Sequence, residues 1–306
     1  MKRPIQKLLA GLLIAAMSIG VFGVVSAQEQ EEEVLNILYW QAVSIPQPYL
    51  SGGTKDIDAA ALVLEPLASF DPDGNLVPRL AAEIPTLENG GFAEDFTSIT
   101  WTLRDDIVWS DGTPFTAADV VFTYDYCSNE ETGCATVQFL DGVESVEAID
   151  DFTVQVNFSV PKPFPYNAFV GSQQVILQQA QFADCVGAAA PTCTDENFGP
   201  IGTGPYVIVD FRPNDVVEYV ANENYREEGK PFFDRVIFKG GGDAEAAARA
   251  VLETGEVDYA WNLQISPAVL SEMEAAGQGQ VVVGFTSSVE RILLNQTNDD
   301  PSLGED

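Results

Sequence analysis

The sequence predicts a mixed α/β protein, because segments typical of strands and segments typical of helices alternate along the chain. Residues 99–103 and 152–158 alternate apolar and polar side chains, the pattern of a strand with one buried face. Between these segments a helix is predicted to begin after Thr116, since Thr116 and Asp119 have the spacing of a capping box. The preceding residues 110–114, Ser-Asp-Gly-Thr-Pro, predict a chain reversal.

Residues 1–27 are predicted to be an export signal. Lys2, Arg3 and Lys7 precede an apolar run, and the run ends in Val-Ser-Ala at residues 25–27, which has the small residues that a signal peptidase requires. An uncleaved membrane anchor is the alternative, because the run is nearly long enough to span a bilayer. The sequence favours removal of the segment but does not decide between the two fates.

The folded chain is predicted to begin with a strand at residues 34–40, followed by a loop at residues 41–53 that contains two prolines and two glycines. Asp56 is positioned to cap a helix over residues 57–65. Ligands of open α/β sheets collect at the carboxyl ends of strands. The loop after the first strand is therefore a candidate binding segment.

Short strands are predicted at residues 67–70 and 76–77, on either side of the turn Asp-Pro-Asp-Gly-Asn at residues 71–75. The turn places three oxygen-bearing side chains at alternating positions, as a calcium loop does. An EF-hand also requires its glycine after the third ligand and a glutamate at the twelfth position, whereas this glycine precedes the third ligand and the twelfth residue is Ala82. We therefore predict a hairpin and no calcium site.

Four cysteines in an exported chain indicate disulfide bonds. Three pairings are possible, and the favoured one joins sequence neighbours, Cys127 to Cys134 and Cys185 to Cys193, because it needs only local turns. Neither pair has the two-residue spacing of a zinc knuckle, and the chain contains no histidine that would complete a mixed site. No metal site is predicted.

The remainder of the chain is predicted to add further strands and helices. The glycine-rich residues 199–206 lack the Gly-Lys-Ser/Thr ending of a phosphate loop and precede a strand instead of a helix. Asp243 is placed to cap one helix, and Ser266 and Pro267 begin another. Strands are predicted at residues 206–211, 216–220, 232–238, 281–283 and 292–294, and helices at residues 177–185 and 244–253.

The charge balance is strongly acidic, with 14 Lys and Arg against 47 Asp and Glu in 306 residues. Because such a surface repels phosphate backbones, nucleic-acid binding is not expected. The lack of histidine removes the usual catalytic triads and zinc sites, so no catalytic residue is assigned. A secreted hydrolase acting through paired carboxylates is a remote alternative.

One long segment resembles a known family. Leu-Arg-Asp-Asp at residues 103–106, Trp-Ser-Asp-Gly-Thr-Pro-Phe-Thr-Ala at residues 109–117 and Asp-Val-Val-Phe at residues 119–122 follow the order of a family signature. That signature belongs to the family 5 extracellular solute-binding proteins, the dipeptide, oligopeptide and nickel receptors of bacterial ABC importers. Residues 199–206 and the Gly-Glu-Val-Asp-Tyr-Ala-Trp-Asn segment at residues 255–262 are also similar to family landmarks.

The resemblance implies a periplasmic-binding-protein-like type II fold, an α/β fold with two lobes around a cleft. It covers only the amino-terminal part of the family, so we expect the second lobe to be missing and interpret the chain as a fragment. The implied main lobe comprises residues 28–65 and residues 200–306, up to the hinge strand. A smaller mixed α/β domain at residues 66–199, with both disulfides, is predicted to interrupt it.

Binding residues are also assigned from the resemblance. In family members the first strand and its loop line the ligand cleft, and so does the strand that follows the Gly-Glu-x-Asp segment. The resulting candidates are Trp40, Gln41, Ala42, Val43, Trp261, Asn262 and Leu263. The alternative for Trp40 is a place in the core, since large aromatic side chains are usually buried.

The function implied by the resemblance is that of the extracellular substrate-binding subunit of an ABC importer. Such a protein captures peptides by hinge closure and delivers them to a membrane permease. Nickel chelates, oligosaccharides and haem are the ligands of other relatives, and an extracellular sensor with the same fold is a further alternative. We expect an exported monomer, in the periplasm or at the outer face of the cytoplasmic membrane, with no cofactor and no enzymatic activity.

Overall fold

The computed structural model describes residues 32–240, 242–261, 263 and 265–284. The predicted export signal and the predicted strand at residues 292–294, with the hinge segment around it, lie outside these residues. The strands are Val34–Tyr39 (β1), Ala68–Phe70 (β2), Leu76–Pro78 (β3), Ser98–Thr102 (β4), Val143–Asp150 (β5), Thr153–Phe158 (β6), Tyr206–Arg212 (β7), Val216–Ala221 (β8), Arg235–Gly240 (β9) and Tyr259–Trp261 (β10). The helices are Thr54–Ala60 (α1), Ala117–Ser128 (α2), Gln179–Phe182 (α3), Thr194–Phe198 (α4), Ala244–Leu252 (α5) and Pro267–Glu274 (α6), with 3-10 helices at Glu130–Thr132, Val137–Leu140 and Gly187–Thr192.

The main sheet has five strands in the order β10-β1-β9-β8-β7. Strand β1 lies parallel to both β10 and β9, whereas β8 is antiparallel to β9 and to β7. Three neighbouring parallel strands therefore bring their carboxyl ends to one edge of the sheet. Ligands of open α/β sheets bind at such an edge.

A second sheet of three antiparallel strands, in the order β4-β6-β5, contains the two segments whose alternation predicted strands. Its buried face includes Trp101 and its cross-strand partner Val154. Helix α2 packs against β5 and β6, and the N–H of Thr116 donates to the Asp119 carboxylate at 3.0 Å, which confirms the predicted capping box. The antiparallel pair β2 and β3 confirms the predicted hairpin.

Helix α1 differs from its prediction at its beginning. The helix begins at Thr54 with Gly53 as N-cap, so the predicted cap at Asp56 is wrong. The Asp56 carboxylate is buried and accepts hydrogen bonds from the N–H of Ser44 at 2.7 Å and from the hydroxyl of Ser51 at 2.6 Å. Asp56 therefore holds the loop after β1 against the helix.

Helix α1 also ends earlier than predicted, because the carbonyls that follow it bond to another segment. The carbonyls of Leu62 and Val63 accept hydrogen bonds from the N–H groups of Tyr206 and Gly204, at 3.1 Å and 2.8 Å. A Cβ added at Gly202 would lie 1.9 Å from the Val63 carbonyl oxygen. The glycines in this segment thus permit a close backbone crossing.

The predicted helix at residues 177–185 is reduced to α3, Gln179–Phe182. Two tertiary hydrogen bonds hold the preceding residues out of the helix. The N–H of Leu177 donates to the Thr123 hydroxyl at 2.9 Å, and the buried Gln178 amide donates to Asp111 at 2.9 Å.

Two strand predictions near the carboxyl end need correction. Strand β9 begins at Arg235 instead of residue 232, and Phe232 is 73% exposed. Residues 281–283 form no strand; the N–H of Val281 donates to the Glu274 carboxylate at 2.7 Å, while the two following valines are exposed. In contrast, Asp243 caps α5 and Ser266 caps α6, as predicted.

The hydrophobic core includes residues of the main sheet, such as Tyr219, and of the antiparallel sheet, such as Trp101, in one continuous cluster. The proposed domain limits after residues 65 and 199 stay predictions. Disulfide bonds join Cys127 to Cys134 and Cys185 to Cys193. Among the described helices, none has the length and apolar character needed to cross a bilayer.

Candidate functional site

The carboxyl ends of β10, β1 and β9 lie side by side and carry two of the predicted binding segments. Tyr39, the last residue of β1, is in register with Trp261 on β10 and with Gly240 on β9. The loop that begins at Trp40 and the segment that follows Trp261 therefore leave the sheet from adjacent strands. The structure brings these two sequence-distant segments together at one edge.

The candidates that follow β1 differ in their accessibility. Gln41 is exposed, and Trp40 and Ala42 are half-buried, so all three offer atoms to a solute. Val43 is only 2% exposed and belongs to the core, and its carbonyl accepts a hydrogen bond from the N–H of Asn214 at 2.8 Å. The Val43 side chain therefore supports the loop instead of lining an open surface.

The candidates that follow β10 are also unequal. Trp261 is half-buried, and its indole stacks on the ring of Tyr39 with centroids 5.0 Å apart. Leu263 packs against a small cluster formed by Ala248, Leu252 and Met273, so its side chain is committed to helices α5 and α6. Asn262 lies outside the described residues.

Residue 240 must be glycine because the loop after β1 crosses the end of β9 too closely to leave room for a side chain. A Cβ added at Gly240 would lie 1.9 Å from the Cα of Ala42 and 2.3 Å from its nitrogen. Only a residue without a side chain permits this approach. The backbone of the candidate loop is therefore fixed directly against the neighbouring strand.

The loop is also fixed by Asp56, which the sequence predicted to cap a helix. The Asp56 carboxylate accepts hydrogen bonds from the N–H of Ser44, from Ser51 and from the ammonium of Lys55, the last at 2.9 Å to each oxygen. These bonds tie together both ends of the loop. Because the carboxylate is compensated in this way, it acts as an internal anchor.

A second carboxylate, Asp58, lies close to the same edge and was missed in the sequence. The Tyr39 hydroxyl donates to Asp58 at 2.8 Å. Burial raises the pKa of Asp58, and the hydrogen bond from Tyr39 lowers it by a smaller amount. In the sequence, Asp58 is the only charged residue of the otherwise apolar segment 57–64. This isolated charge is the signal by which Asp58 could have been found.

Two surface cavities of the described chain lie away from these strand ends. One, of about 210 Å³, is lined by polar groups around Asn89 and Thr100. The other, of about 390 Å³, lies between Tyr124 and Val143. We therefore locate the candidate site by strand geometry and not by cavity size.

One cluster of potential metal ligands occurs in the described part of the chain, and it consists of Cys185, Cys193 and Glu196. The two sulfur atoms are bonded to each other. A metal requires thiolate ligands, so this cluster cannot bind one while the disulfide is intact.

Comparison with known proteins supplies the family. Residues 75–303 match the family model described as bacterial extracellular solute-binding proteins, family 5 middle. The chain belongs to this family. The family consists of solute-binding proteins and not of enzymes, as the sequence predicted.

Two of three curated relatives of this family 5 protein carry names that refer to a solute, a peptide in one and glutathione in the other. The chain is 32% identical to Protein XP55 of Streptomyces lividans over 55% of its own length, and 31% identical to a Brucella ovis protein named as an ABC transporter peptide-binding protein over 61%. It is 26% identical to the glutathione-binding protein of Pectobacterium atrosepticum over 74%. The alignments cover 29%, 34% and 41% of these relatives, so the chain spans less than half of their lengths.

Solved structures confirm the predicted fold of this family 5 protein. OppA of Haemophilus influenzae, in complex with the peptide RPPGFSPFR, has a TM-score of 0.68 at 22% identity, with 81% of this chain and 49% of that chain covered. NikZ of Campylobacter jejuni, in complex with Ni(L-His), has a TM-score of 0.64 at 26% identity, with 75% and 43% covered. The described chain thus has the type II periplasmic-binding-protein fold over the portion that it shares with them.

Proposed function

We propose that this family 5 protein is the extracellular substrate-binding subunit of an ABC importer and that it captures peptides. The observation that carries the proposal is the juxtaposition of the loop after β1 with Trp261 at adjacent strand ends. A loop that begins with half-buried and exposed residues can offer main-chain donors and acceptors to a peptide, and an indole offers apolar area without close selection of side chains. The names of relatives that bind peptides support the same class of solute.

The proposal includes a closing motion and a membrane partner. A solute shifts an open-closed equilibrium only by its higher affinity for the closed form. The chain covers 49% of the OppA chain and 43% of the NikZ chain. Because less than half of each of those proteins is covered, closure of the whole protein over its solute is proposed here and not observed. We further propose that the protein acts as a monomer, outside the cytoplasmic membrane, and delivers its solute to a permease of the importer.

Native mass spectrometry of the protein, purified from its host without denaturation, tests the class of solute. We expect adducts whose masses and fragment spectra are those of short peptides. A second experiment, calorimetric titration with a synthetic peptide pool and separately with the nickel-histidine complex, distinguishes the alternatives. Heat from the nickel complex alone would replace the peptide proposal with a chelate receptor.

A further inference from the structure

We propose that reduction of the Cys185–Cys193 disulfide converts this part of the chain into a zinc site, with the two thiolates and the Glu196 carboxylate as ligands. The inference goes beyond the proposed function, because it concerns a surface other than the strand ends and depends on no solute. Three observations carry it: the ligand atoms lie together, the carboxylate is uncommitted, and the fold anchors the segment independently of the disulfide.

The three ligand atoms already occupy a small volume. The two sulfur atoms and a carboxylate oxygen of Glu196 all lie within 4.8 Å of one another. Zinc binds sulfur at about 2.3 Å and carboxylate oxygen at about 2.0–2.2 Å, so the ligand atoms of one tetrahedral ion are roughly 3.6–3.8 Å apart. Small side-chain adjustments therefore bring the three atoms to a common metal.

The spacing of the two cysteines suits both a disulfide and a metal. Their Cα atoms are 5.8 Å apart. From this spacing, side-chain rotation takes the sulfurs from bonding distance to the roughly 3.8 Å that a shared zinc ion requires. The opened disulfide thus leaves two thiols that can still face one ion.

The turn that leads into helix α4 places Glu196 beside Cys193. Cys193 directly precedes α4, and Glu196 follows it by three residues, the spacing that puts two helical side chains on one face. The N–H of Asn197 donates to the Cys193 carbonyl at 3.0 Å and closes this turn. These two ligands therefore stay together when the disulfide opens.

The Glu196 carboxylate is free to bind a metal. Within the part of the chain that the structure describes, it forms no hydrogen bond and no ion pair. Glu196 and Cys193 are half-buried, whereas Cys185 is only 2% exposed. A metal ion can therefore enter from the solvent side, past Glu196 and Cys193, and reach the buried sulfur behind them.

The segment between the cysteines is held by hydrogen bonds that do not involve the disulfide. The N–H of Gly187 donates to the buried Thr132 hydroxyl at 3.0 Å. The side-chain amide of Asn197 donates to the Ala190 carbonyl at 2.8 Å, and both of these residues are buried. Because the ligands are positioned by the fold, little ordering free energy opposes metal binding.

A dithiol reductant balances the redox step. The dithiol transfers two electrons and two protons to the sulfur–sulfur bond, which breaks to give two thiols, and the dithiol itself becomes a disulfide. Zinc then displaces both thiol protons. The two thiolates, the Glu196 carboxylate and one water provide the four ligands that zinc prefers.

The second disulfide is an internal control. Cys127 and Cys134 are both buried, and the Cys134 sulfur contacts the Thr136 hydroxyl at 3.6 Å. No carboxylate of the described chain joins these two sulfurs in a three-ligand cluster. We therefore expect this pair to bind zinc weakly after reduction.

The binding test uses the full chain with Cys127→Ser/Cys134→Ser, so that Cys185–Cys193 is the remaining disulfide. A phosphine reduces it by taking up an oxygen atom from water, and the protein is titrated with Cd²⁺, whose thiolate charge-transfer band reports the site. We expect saturation at one equivalent, displacement by Zn²⁺ and no band before reduction. Absence of the band from the reduced variant overturns the proposal.

Near-ultraviolet circular dichroism of the reduced variant, with and without Zn²⁺, shows whether the fold holds the ligands. A native spectrum in the presence of Zn²⁺ supports the site. A charge-transfer band from a chain that stays unfolded overturns it, because the metal then binds without the structure.

Further variants locate the ligands. Glu196→Gln should weaken Zn²⁺ binding at least about tenfold, whereas Asp195→Asn, at the exposed neighbouring carboxylate, should leave it unchanged. The reduced Cys185→Ser/Cys193→Ser chain, which keeps the control pair, should also bind at least about tenfold more weakly. Equal Zn²⁺ affinity of Glu196→Gln and its parent, or of the two double-serine chains, contradicts the proposed site.

Discussion

The ring of Tyr39 stacks on the indole of Trp261, with centroids 5.0 Å apart and planes 23° from parallel. These residues are the last positions of β1 and β10, and they are paired in register. The contact joins two segments that are more than two hundred residues apart in sequence. The Tyr39 ring also packs against the ring of Phe238, with centroids 4.5 Å apart. Aromatic contacts therefore link β10, β1 and β9 at the candidate site.

Replacement of Trp261 by Ala should affect binding more than folding. The indole is half-buried on a three-residue edge strand, so its loss should lower the free energy of unfolding by about 1 kcal/mol. We expect peptide affinity to fall at least about tenfold, since anchoring aromatic residues dominate such surfaces. Calorimetric titration and urea unfolding measure the two effects. Phe70→Ala, at an exposed aromatic of the β2-β3 hairpin, should leave affinity unchanged.

The pKa of Asp58 predicts a pH dependence of stability. Burial raises this pKa, so the folded state binds the proton more tightly than the unfolded state does, and stability falls as the pH rises above the ordinary aspartate value of about 3.9. Asp58→Asn removes the titration. Its thermal midpoint should match that of the parent at pH 3 to within about 1 °C and exceed it at neutral pH.

Parallel thermal scans of Asp73→Asn control for the general loss of a negative charge, because Asp73 is exposed in a hairpin turn. A midpoint difference for Asp58→Asn that does not change between acidic and neutral pH would contradict the assigned direction of the pKa shift.

Glu65 and Arg226 form a buried ion pair. Glu65 follows helix α1 and Arg226 follows strand β8, so the pair joins these two parts of the chain. The guanidinium donates to both carboxylate oxygens, at 2.6 Å and 2.8 Å, and the Thr203 hydroxyl donates to the same carboxylate at 3.0 Å. Arg226→Met leaves a buried carboxylate without its cation and should lower the free energy of unfolding by about 3–5 kcal/mol.

Urea unfolding of the double variant Glu65→Leu/Arg226→Met provides the decisive comparison for this pair. We expect the double variant to be more stable than Arg226→Met, since no uncompensated charge remains. Arg249→Met removes an exposed arginine that pairs with Glu253 and should cost less than about 1 kcal/mol. A double variant no more stable than Arg226→Met would show that the carboxylate does not need its partner.

Gly240→Ala tests the close crossing of the candidate loop over β9. The added Cβ would overlap the backbone of Ala42, so the loop must move. We expect a loss of about 1–3 kcal/mol in the free energy of unfolding, together with weaker peptide binding. Gly52→Ala is the matched control in the same loop, because nothing lies within 4 Å of its added Cβ. Equal behaviour of the two variants would argue against the crossing.

Local sequence signals predicted those parts of the fold that short-range physics determines. The capping box of Thr116 and Asp119, the turn at residues 71–75 and the caps at Asp243 and Ser266 all form as expected. Each depends on side chains and backbone groups within a few residues of one another.

Tertiary contacts explain why other predictions were wrong or incomplete. Helix α1 ends early because Tyr206 and Gly204 use the carbonyls that follow it, and Asp56 turns inward because the loop after β1 supplies its donors. Nothing near Asp58 in sequence shows that the Tyr39 hydroxyl will donate to it, since the packing of α1 against β1 decides this. Resemblance to a family located the strand ends, but it did not distinguish the accessible Gln41 from the buried Val43.

Hydrogen-exchange mass spectrometry, with and without an excess of a synthetic tetrapeptide pool, tests most directly whether the solute binds at the strand ends. Bound peptide should slow exchange about tenfold or more at residues 40–45 and 259–263, and it should leave the exposed turn at residues 71–75 unchanged. Protection confined to another surface, such as the cavity between Tyr124 and Val143, would contradict the assignment of the site.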